Sequence, residues 1–342
     1  MKKFFRAAIT AGVAAGALVG AAGAQETSLK TIEVLLPFNL GWGLSPLVVA
    51  QDQGFFTENG LDVKFNVADG SGFVSLQAIA GNVDYAVMSA LDSVIAYEKR
   101  NDLRVLMCNQ VNNTYRIVAT AQSGITSVAE LKGRTLGMTE AGGGEMRYVE
   151  AALAEIGLTR QDLTLLPIGG AGPQSLSALQ NGAVDAYSSS FGDVASLSAG
   201  GIEWVDITPS TYDAVPANCL VVPEALAASE DGSATLVALM DGWVKGIEYL
   251  HDNEQATYDT VCTKLPALCQ NPDVAAAYYA QARRVILPTD ETVVPGRVPA
   301  EAWDSVLEIL DTANTVDGAL DLAPFAQSPS VLAVQEKVFS DR

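Results

Sequence analysis

The chain has 342 residues, of which 49% are hydrophobic and 18% charged, so it is long enough for two domains and globular rather than disordered. It carries 20 basic and 40 acidic residues. A net charge of −20 argues against nucleic acid or an anionic membrane surface as a partner.

The first 24 residues have the features of a secretory signal peptide. Basic residues in the first six positions precede an uncharged Ala/Gly/Val run that ends at Ala22-Gly23-Ala24, an Ala-x-Ala cleavage pattern. A membrane anchor is the alternative, but the run is weakly apolar and no later stretch reaches the roughly 18 apolar residues of a span. We expect cleavage after Ala24 and a periplasmic mature protein. Its net charge would be −23, because the signal holds three basic residues and no acidic one.

The first predicted elements are a strand over 31–36, a Gly-rich loop over 37–44 and a helix that Ser45-Pro46 opens. The next segment, 63–89, reads as strand, Gly-x-Gly turn, short amphipathic helix, second turn and strand. We interpret it as a βαβ unit with parallel strands. A helix over 91–99 and strands over 103–108 and 115–120 follow.

Residues 169–190 repeat residues 69–89. Gly70-Ser71-Gly72 corresponds to Gly170-Ala171-Gly172, and Gly81-Asn82-Val83-Asp84 corresponds to Gly182-Ala183-Val184-Asp185. Duplicated βαβ units about one hundred residues apart predict two similar α/β lobes rather than a short-period solenoid.

The duplication and the strand pattern set the expected domain boundaries. We expect lobe 1 to comprise 29–118 and 219–342 and lobe 2 to comprise 119–218, with the strands 115–120 and 219–222 crossing between them as a hinge. After residue 232 the pattern is helical, and the predicted helices are 233–252, 254–264, 272–284, 300–312 and 329–339.

The four cysteines all lie after the signal, where an oxidising compartment permits disulfides. Cys262 and Cys269 flank a short loop that Pro266 turns back, and we expect them to be bonded. Cys108 and Cys219 lie in apolar strands, and for them a bond and two free core thiols stay equally open.

Several motifs together resemble a known family. They are Trp42 to Pro46 with Gln53-Gly54-Phe55-Phe56 and Asn59-Gly60-Leu61-Asp62-Val63, the two Gly-x-Val-Asp turns, and Ile125 to Gly133. In order and spacing, over about residues 31–225, they are similar to the periplasmic solute-binding proteins of nitrate, taurine (sulfonate) and thiamine-precursor ABC importers. The resemblance implies a type II "Venus flytrap" fold with two crossover strands. It also implies that the protein is a monomer, which captures a small solute between its lobes and delivers it to an inner-membrane permease.

Ligands of open α/β sheets bind at the loops that follow the carboxyl ends of the strands. The predicted ligand-binding residues in those loops are Asn39, Trp42, Asp69, Ser71, Ser89, Asp92, Asn112, Tyr115, Glu140, Gly143, Glu145, Ser190, Phe191 and Asp193. Packing between the lobes is the alternative role for Trp42, which stands between two glycines.

An enzyme on the same fold is the main alternative function, either a hydrolase or a synthase of a thiamine precursor. The only histidine, His251, falls in a C-terminal helix, where we expect a surface or helix-end position. No nucleophile elbow, zinc motif or P-loop occurs in the sequence. We therefore expect no catalytic residue, no metal and no cofactor.

The sequence gives opposing indications about the charge of the solute. Helix N-termini at the cleft favour an anion. The same loops carry Asp69, Asp92, Glu140, Glu145 and Asp193, with only Arg116 and Arg147 nearby. These acidic side chains favour a solute with a cationic or neutral heteroaromatic group, which would stack on Trp42.

Overall fold

The computed structural model describes residues 28–213, 215–288, 293–340 and 342. The expected signal peptide, residues 1–24, lies outside them. The described residues form two five-stranded mixed sheets with helices packed on both. Among these residues no helix is both long and apolar enough to cross a membrane.

The strands are β1 (Lys30–Leu36), β2 (Leu61–Val67), β3 (Ala86–Met88), β4 (Leu103–Gln110), β5 (Tyr115–Thr120), β6 (Thr135–Met138), β7 (Thr164–Pro167), β8 (Ala186–Ser190), β9 (Trp204–Asp206) and β10 (Ala217–Pro223). The helices are α1 (Ser45–Asp52), α2 (Phe55–Glu58), α3 (Ser71–Ala80), α4 (Ala90–Lys99), α5 (Glu145–Ala154), α6 (Pro173–Gln180), α7 (Phe191–Ala199), α8 (Glu224–Ala228), α9 (Glu230–Asp252), α10 (Glu254–Lys264), α11 (Pro272–Ile286), α12 (Glu301–Thr312), α13 (Ala323–Gln327) and α14 (Pro329–Phe339).

The duplication seen in the sequence extends over a whole half of the fold. The first sheet has the order β2-β1-β3-β10-β4 and the second the order β7-β6-β8-β5-β9. The first helix of each half begins at Ser45 and at Glu145, and the βαβ units β2-α3-β3 and β7-α6-β8 follow at the same offset. The predicted parallel strands are confirmed, although each unit's two strands lie on either side of a third, β1 or β6.

Each half receives one strand from the other half. β5 follows β4 along the chain, but it pairs antiparallel with β8 and β9 in the second sheet. β10 follows β9 and pairs antiparallel with β3 and β4 in the first. Both exchanged strands are buried along their whole length.

The predicted crossover strands 115–120 and 219–222 correspond to β5 and β10, the two strands that the halves exchange. A buried strand must form its ladder hydrogen bonds within one sheet, so the crossings fall in the irregular segments 111–114 and 207–216. The predicted boundary at 118/119 lies inside β5, and the boundary at 218/219 lies inside β10. That the two halves move as separate lobes stays a prediction.

The C-terminal helices form where the pattern predicts them, to within three residues at each end. They do not pack on the first half alone. α11 contacts α7 of the second half, and α12 contacts both α4 of the first half and α5 of the second. One continuous hydrophobic core joins Leu91 and Val94 with Tyr148 and Val149 through Val306.

Both cysteine pairs are bonded. The predicted Cys262–Cys269 disulfide is confirmed and connects the end of α10 to the following turn. Cys108 and Cys219, which the sequence left open, lie opposite each other on β4 and β10 and form the second disulfide.

Candidate ligand-binding cleft

A cavity of about 420 Å³ lies between the two sheets, a size that suits a small organic molecule. Loops that follow β1, β2, β6, β7 and β8 converge on it. Its walls are residues 37–43 with Ser71, Gln110 and Asn218 of the first half, Thr114, Tyr115, Thr139, Glu140, Gly144, Glu145, Gly170, Ala171 and 190–193 of the second, and Leu268, Tyr278, Gln281, Ala282 and Val285 of the C-terminal part.

Nine of the predicted site residues line this cavity: Asn39, Trp42, Ser71, Tyr115, Glu140, Glu145, Ser190, Phe191 and Asp193. Five others do not: Asp69, Ser89, Asp92, Asn112 and Gly143. Lining a cavity is not proof of ligand contact, so the ligand-binding role of the nine stays a prediction.

Trp42 does not offer an exposed ring. Its side chain is only 2% exposed, and the ring stacks on Tyr258 and lies beside Tyr279, each 5.1 Å away between centroids. The expectation that a cationic group stacks on an open face of Trp42 is therefore wrong. The ring packs against helices α10 and α11 instead, because these helices supply aromatic partners that the local sequence does not show.

Three of the five residues outside the cavity belong to the first βαβ unit and its neighbouring helix. Asp69 is exposed. Ser89 is the N-cap of α4 and accepts a hydrogen bond from the backbone N–H of Asp92, at 3.0 Å. The carboxylate of Asp92 is 2% exposed and pairs with Arg147 Nε of the opposite half at 3.0 Å. Asp92 therefore contributes to the contact between the halves rather than to the cavity wall.

The remaining two are displaced by neighbouring groups. The Asn112 amide turns away and donates to the carbonyl oxygen of Arg284 at 3.4 Å. Gly143 lies beneath the Glu145 carboxylate, and a Cβ at this position would overlap it. A glycine is required here so that Glu145 can fold back over its own helix start.

Glu145 is the most strongly perturbed acid of the cavity. Its side chain accepts hydrogen bonds from the backbone N–H of Thr139, at 3.1 Å, and from the Thr139 hydroxyl. Burial raises the pKa of Glu145 from 4.5 to about 7, opposed by the Thr139 hydrogen bond and reinforced by Glu140. Burial also raises the pKa of Glu140, with Asp69 and Asp193 adding to the effect.

Asp193 lies in the first turn of α7 and is held within its own half. Its Oδ1 accepts from the backbone N–H of Ala171 at 2.8 Å, and its Oδ2 accepts from the hydroxyls of Ser189 and Ser190 at 2.6 and 2.7 Å. Ser190 caps the helix by accepting from the Asp193 N–H at 3.1 Å. The second βαβ unit is thereby fixed against the helix that follows it.

Arg116 is close to the cleft but does not line it. Its guanidinium lies 3.7 Å from the centroid of the Phe191 ring and pairs with Asp213 at 2.7 Å. Phe191 is therefore a cavity residue whose ring is also held by a buried cation.

Sequence reasoning missed the walls built by β4, β10 and the C-terminal helices. Gln110 and Asn218 are buried polar residues of strands, and Tyr278 and Gln281 lie on α11. The one local signal was Asn218 itself, since an asparagine inside an apolar run is unusual. Its φ of 53° is in the left-handed region that asparagine tolerates better than most residues.

Two mixed sheets that exchange one strand each, with a cavity between them and a helical C-terminal part, define the periplasmic-binding-protein fold. A sequence profile of the family described as NMT1/THI5 like matches residues 43–257. The chain belongs to this family, and the resemblance drawn from its motifs is confirmed.

Solved structures share the fold over nearly the whole chain. A protein from Bordetella bronchiseptica RB50 is 23% identical with a TM-score of 0.70, covering 90% of this chain and 97% of that one. The alkanesulfonate-binding protein SsuA from Xanthomonas axonopodis pv. citri, bound to MOPS, is 14% identical with a TM-score of 0.64, covering 87% and 98%. At these identities the likeness establishes the fold.

A relative from Brucella abortus (strain 2308), named provisionally as a binding protein, is 27% identical over 126 residues. The match covers 36% of this chain and 38% of the relative. Less than two fifths of the relative's length is thus matched.

Proposed function

We propose that this protein is the periplasmic solute-binding component of an ABC importer. It captures a small organic solute between its two halves and presents the closed complex to an inner-membrane permease, acting as a monomer. The observation that carries the proposal is the cavity itself, whose walls come from equivalent loops of both halves.

Contacts between the halves support a closed state around this cavity. The backbone N–H of Gly72 donates to the carbonyl oxygen of Gly142 at 3.2 Å, and Arg147 pairs with Asp92. A solute that touches both halves would shift the protein toward this state, because a ligand moves an equilibrium only through its differential affinity.

We also propose that the protein binds without catalysing a reaction. All four cysteines are in disulfides. His251 is exposed at the end of α9, as predicted. Neither is available as a nucleophile or base at the cavity.

The proposal is tested by a thermal-shift screen of sulfonates, amines, pyrimidines and aromatic acids, followed by calorimetry and small-angle scattering on any hit. We expect one site per monomer, a smaller radius of gyration at saturation and recovery of the solute unchanged. Tyr278→Phe, at the cavity, should weaken binding, whereas Tyr249→Phe, on α9, should not. An unchanged radius with a bound solute, or conversion of the solute, would contradict the proposal.

A further inference from the structure

The cavity is acidic and lacks cationic side chains. Three carboxylates, those of Glu140, Glu145 and Asp193, belong to its walls, and none of the described lining residues is Lys, Arg or His. Arg116 is engaged with Asp213 at 2.7 Å and with Asp206 at 3.7 Å. Within the cavity wall, an anionic ligand would therefore meet three acidic side chains and no basic one.

Several backbone N–H groups near the cavity are already bonded to the protein's own side chains. Ser89 accepts from the first turn of α4, Ser190 accepts from the first turn of α7, and Asp193 accepts the backbone N–H of Ala171. The Glu145 carboxylate lies in the loop that leads into α5, where it accepts a hydrogen bond from the backbone N–H of Thr139. These N–H groups are therefore not available to an anionic ligand.

A series of hydrogen bonds between side-chain amides determines the orientation of the Asn218 amide, and with it which of its two polar atoms has no partner. The Trp243 indole N–H, which can only donate, bonds Asn109 Oδ1 at 2.8 Å, so Asn109 Nδ2 donates to the Gly43 carbonyl at 2.8 Å. Gln110 Nε2 donates to the same carbonyl at 3.3 Å, and Gln110 Oε1 accepts from Asn218 Nδ2 at 2.8 Å. The remaining atom, Asn218 Oδ1, must be an acceptor.

This oxygen has no partner although Asn218 is 1% exposed and lines the cavity. Gln281 Oε1, also in the cavity wall, is buried without a partner as well. A buried acceptor left unpaired is destabilising, so a bound solute that donates hydrogen bonds to these two oxygens would be favoured.

Accepting the proposed role in solute capture, we propose that the solute is a small organic cation that carries an ammonium or amidinium group. Its N–H groups donate to Asn218 Oδ1 and Gln281 Oε1, and the carboxylates of Glu140 and Glu145 balance its charge. The inference names the class of solute for the cavity described above, and it excludes a plain sulfonate or nitrate.

The test uses matched compounds that share a phenyl ring: benzylamine and benzamidine as cations, benzyl alcohol as the neutral member and benzenesulfonate as the anion. Calorimetry on the mature chain at mildly alkaline pH should show saturable binding of the cations to one site and none of benzenesulfonate. Glu140→Gln should weaken cation binding by about tenfold, the effect of roughly one lost charge interaction. Asp84→Asn is the matched control, because it removes the same charge from an exposed residue outside the cavity, and it should change affinity by less than about twofold.

Binding of benzenesulfonate at least as tight as that of the cations would overturn the inference while leaving solute capture standing. Cation binding that Glu140→Gln leaves unchanged would overturn the assigned site. If no member of the series binds, the inference fails, and scattering with hits from the wider screen decides the capture function separately.

Discussion

The two halves of the molecule carry the same Ser-x-x-Asp helix start, and they use its acid differently. In Ser89–Asp92 and in Ser190–Asp193 the serine hydroxyl accepts the N–H of the aspartate, at 3.0 and 3.1 Å. Asp92 then reaches across to Arg147 of the opposite half. Asp193 instead turns back to Ala171 of its own half and lines the cavity.

The difference shows that a duplicated local structure does not fix the role of its residues. Local sequence determines the cap, since serine followed by an acid three residues later is sufficient for it. The group that faces the acid determines the rest. Asp92 faces a guanidinium and holds the halves together. Asp193 faces the Ala171 N–H and two serine hydroxyls of its own half, at the cavity wall.

The largest contrast between the halves is covalent. The Cys108–Cys219 disulfide joins two strands of the first sheet and links residues 111 positions apart in the sequence. The equivalent strands of the second sheet, β9 and β5, contain no cysteine. Replacing both residues by alanine should cost about 4–5 kcal/mol of unfolding free energy, and the same change at Cys262–Cys269, which are seven residues apart, about 2–3 kcal/mol. Urea unfolding measures both. Equal losses would show that loop length does not govern the difference.

Asp92→Asn and Asp193→Asn compare the two helix starts directly. We expect Asp92→Asn to lower the unfolding free energy by about 2–3 kcal/mol, because Arg147 loses its buried partner; the value allows for solvent screening of Arg147, which is 33% exposed. Asp193→Asn should cost only about 1 kcal/mol. A larger loss for Asp193→Asn in the same denaturant titration would reverse the comparison.

The first helix of one half starts at Ser45 and the first helix of the other starts at Glu145. Of these two residues, only Glu145 has a titratable side chain. Because burial raises the pKa of Glu145 to about 7, the folded state keeps a proton that the unfolded chain releases above about pH 4.5. This group therefore makes stability fall as pH rises from about 4.5 to 7, with no further change above. The titratable groups around it are Glu140, Tyr115 and Tyr187.

Glu145→Gln keeps the shape and removes the titration. Relative to the unmodified chain it should gain about 3 kcal/mol at pH 8 and little at pH 4.5. Unfolding curves at the two pH values give the difference, and a gain that does not depend on pH would argue against a raised pKa.

The smallest expected effect is the difference between alanine substitutions at two glycines of the duplicated turns. Gly70 and Gly169 both have positive φ, 92° and 82°, so replacement by alanine should cost about 1 kcal/mol at either site. Only at Gly70 would the new Cβ overlap the Gly142 carbonyl of the other half, whereas Gly169 faces open space. Gly70→Ala should therefore increase the radius of gyration in scattering, and Gly169→Ala should leave it unchanged. Equal radii would show that this contact does not hold the halves together.

Much of the fold was readable because its signals are local. The repeat at a fixed offset, the Gly-x-Gly turns and the C-terminal helices all depend on residues a few positions apart. The sequence identified β5 and β10 as the strands at the crossings but not the sheet in which each one pairs, since an apolar strand has the same pattern in either sheet. Nine residues of the cavity wall could be predicted from the sequence, because the loops at the strand ends are recognisable by their content of Gly, Ser and Asn.

The rest of the cavity depends on distant partners. The burial of Trp42 was not readable from the local sequence because Tyr258 and Tyr279, which cover it, lie more than two hundred residues along the chain. Tyr278 and Gln281 lie on a helix whose pattern gives no sign of a cleft. The unpaired oxygen of Asn218 follows only from a chain of amides that begins at Trp243.

Helices α11 and α12 bridge the two halves in addition to the two crossing segments of the chain. α11 contacts α7 of the second half, and α12 contacts both α4 and α5. Tyr278 of α11 lies so close to Gly192 of α7 that an added Cβ would overlap its ring. The contact between these two helices therefore depends on glycine, the residue type without a Cβ, at position 192.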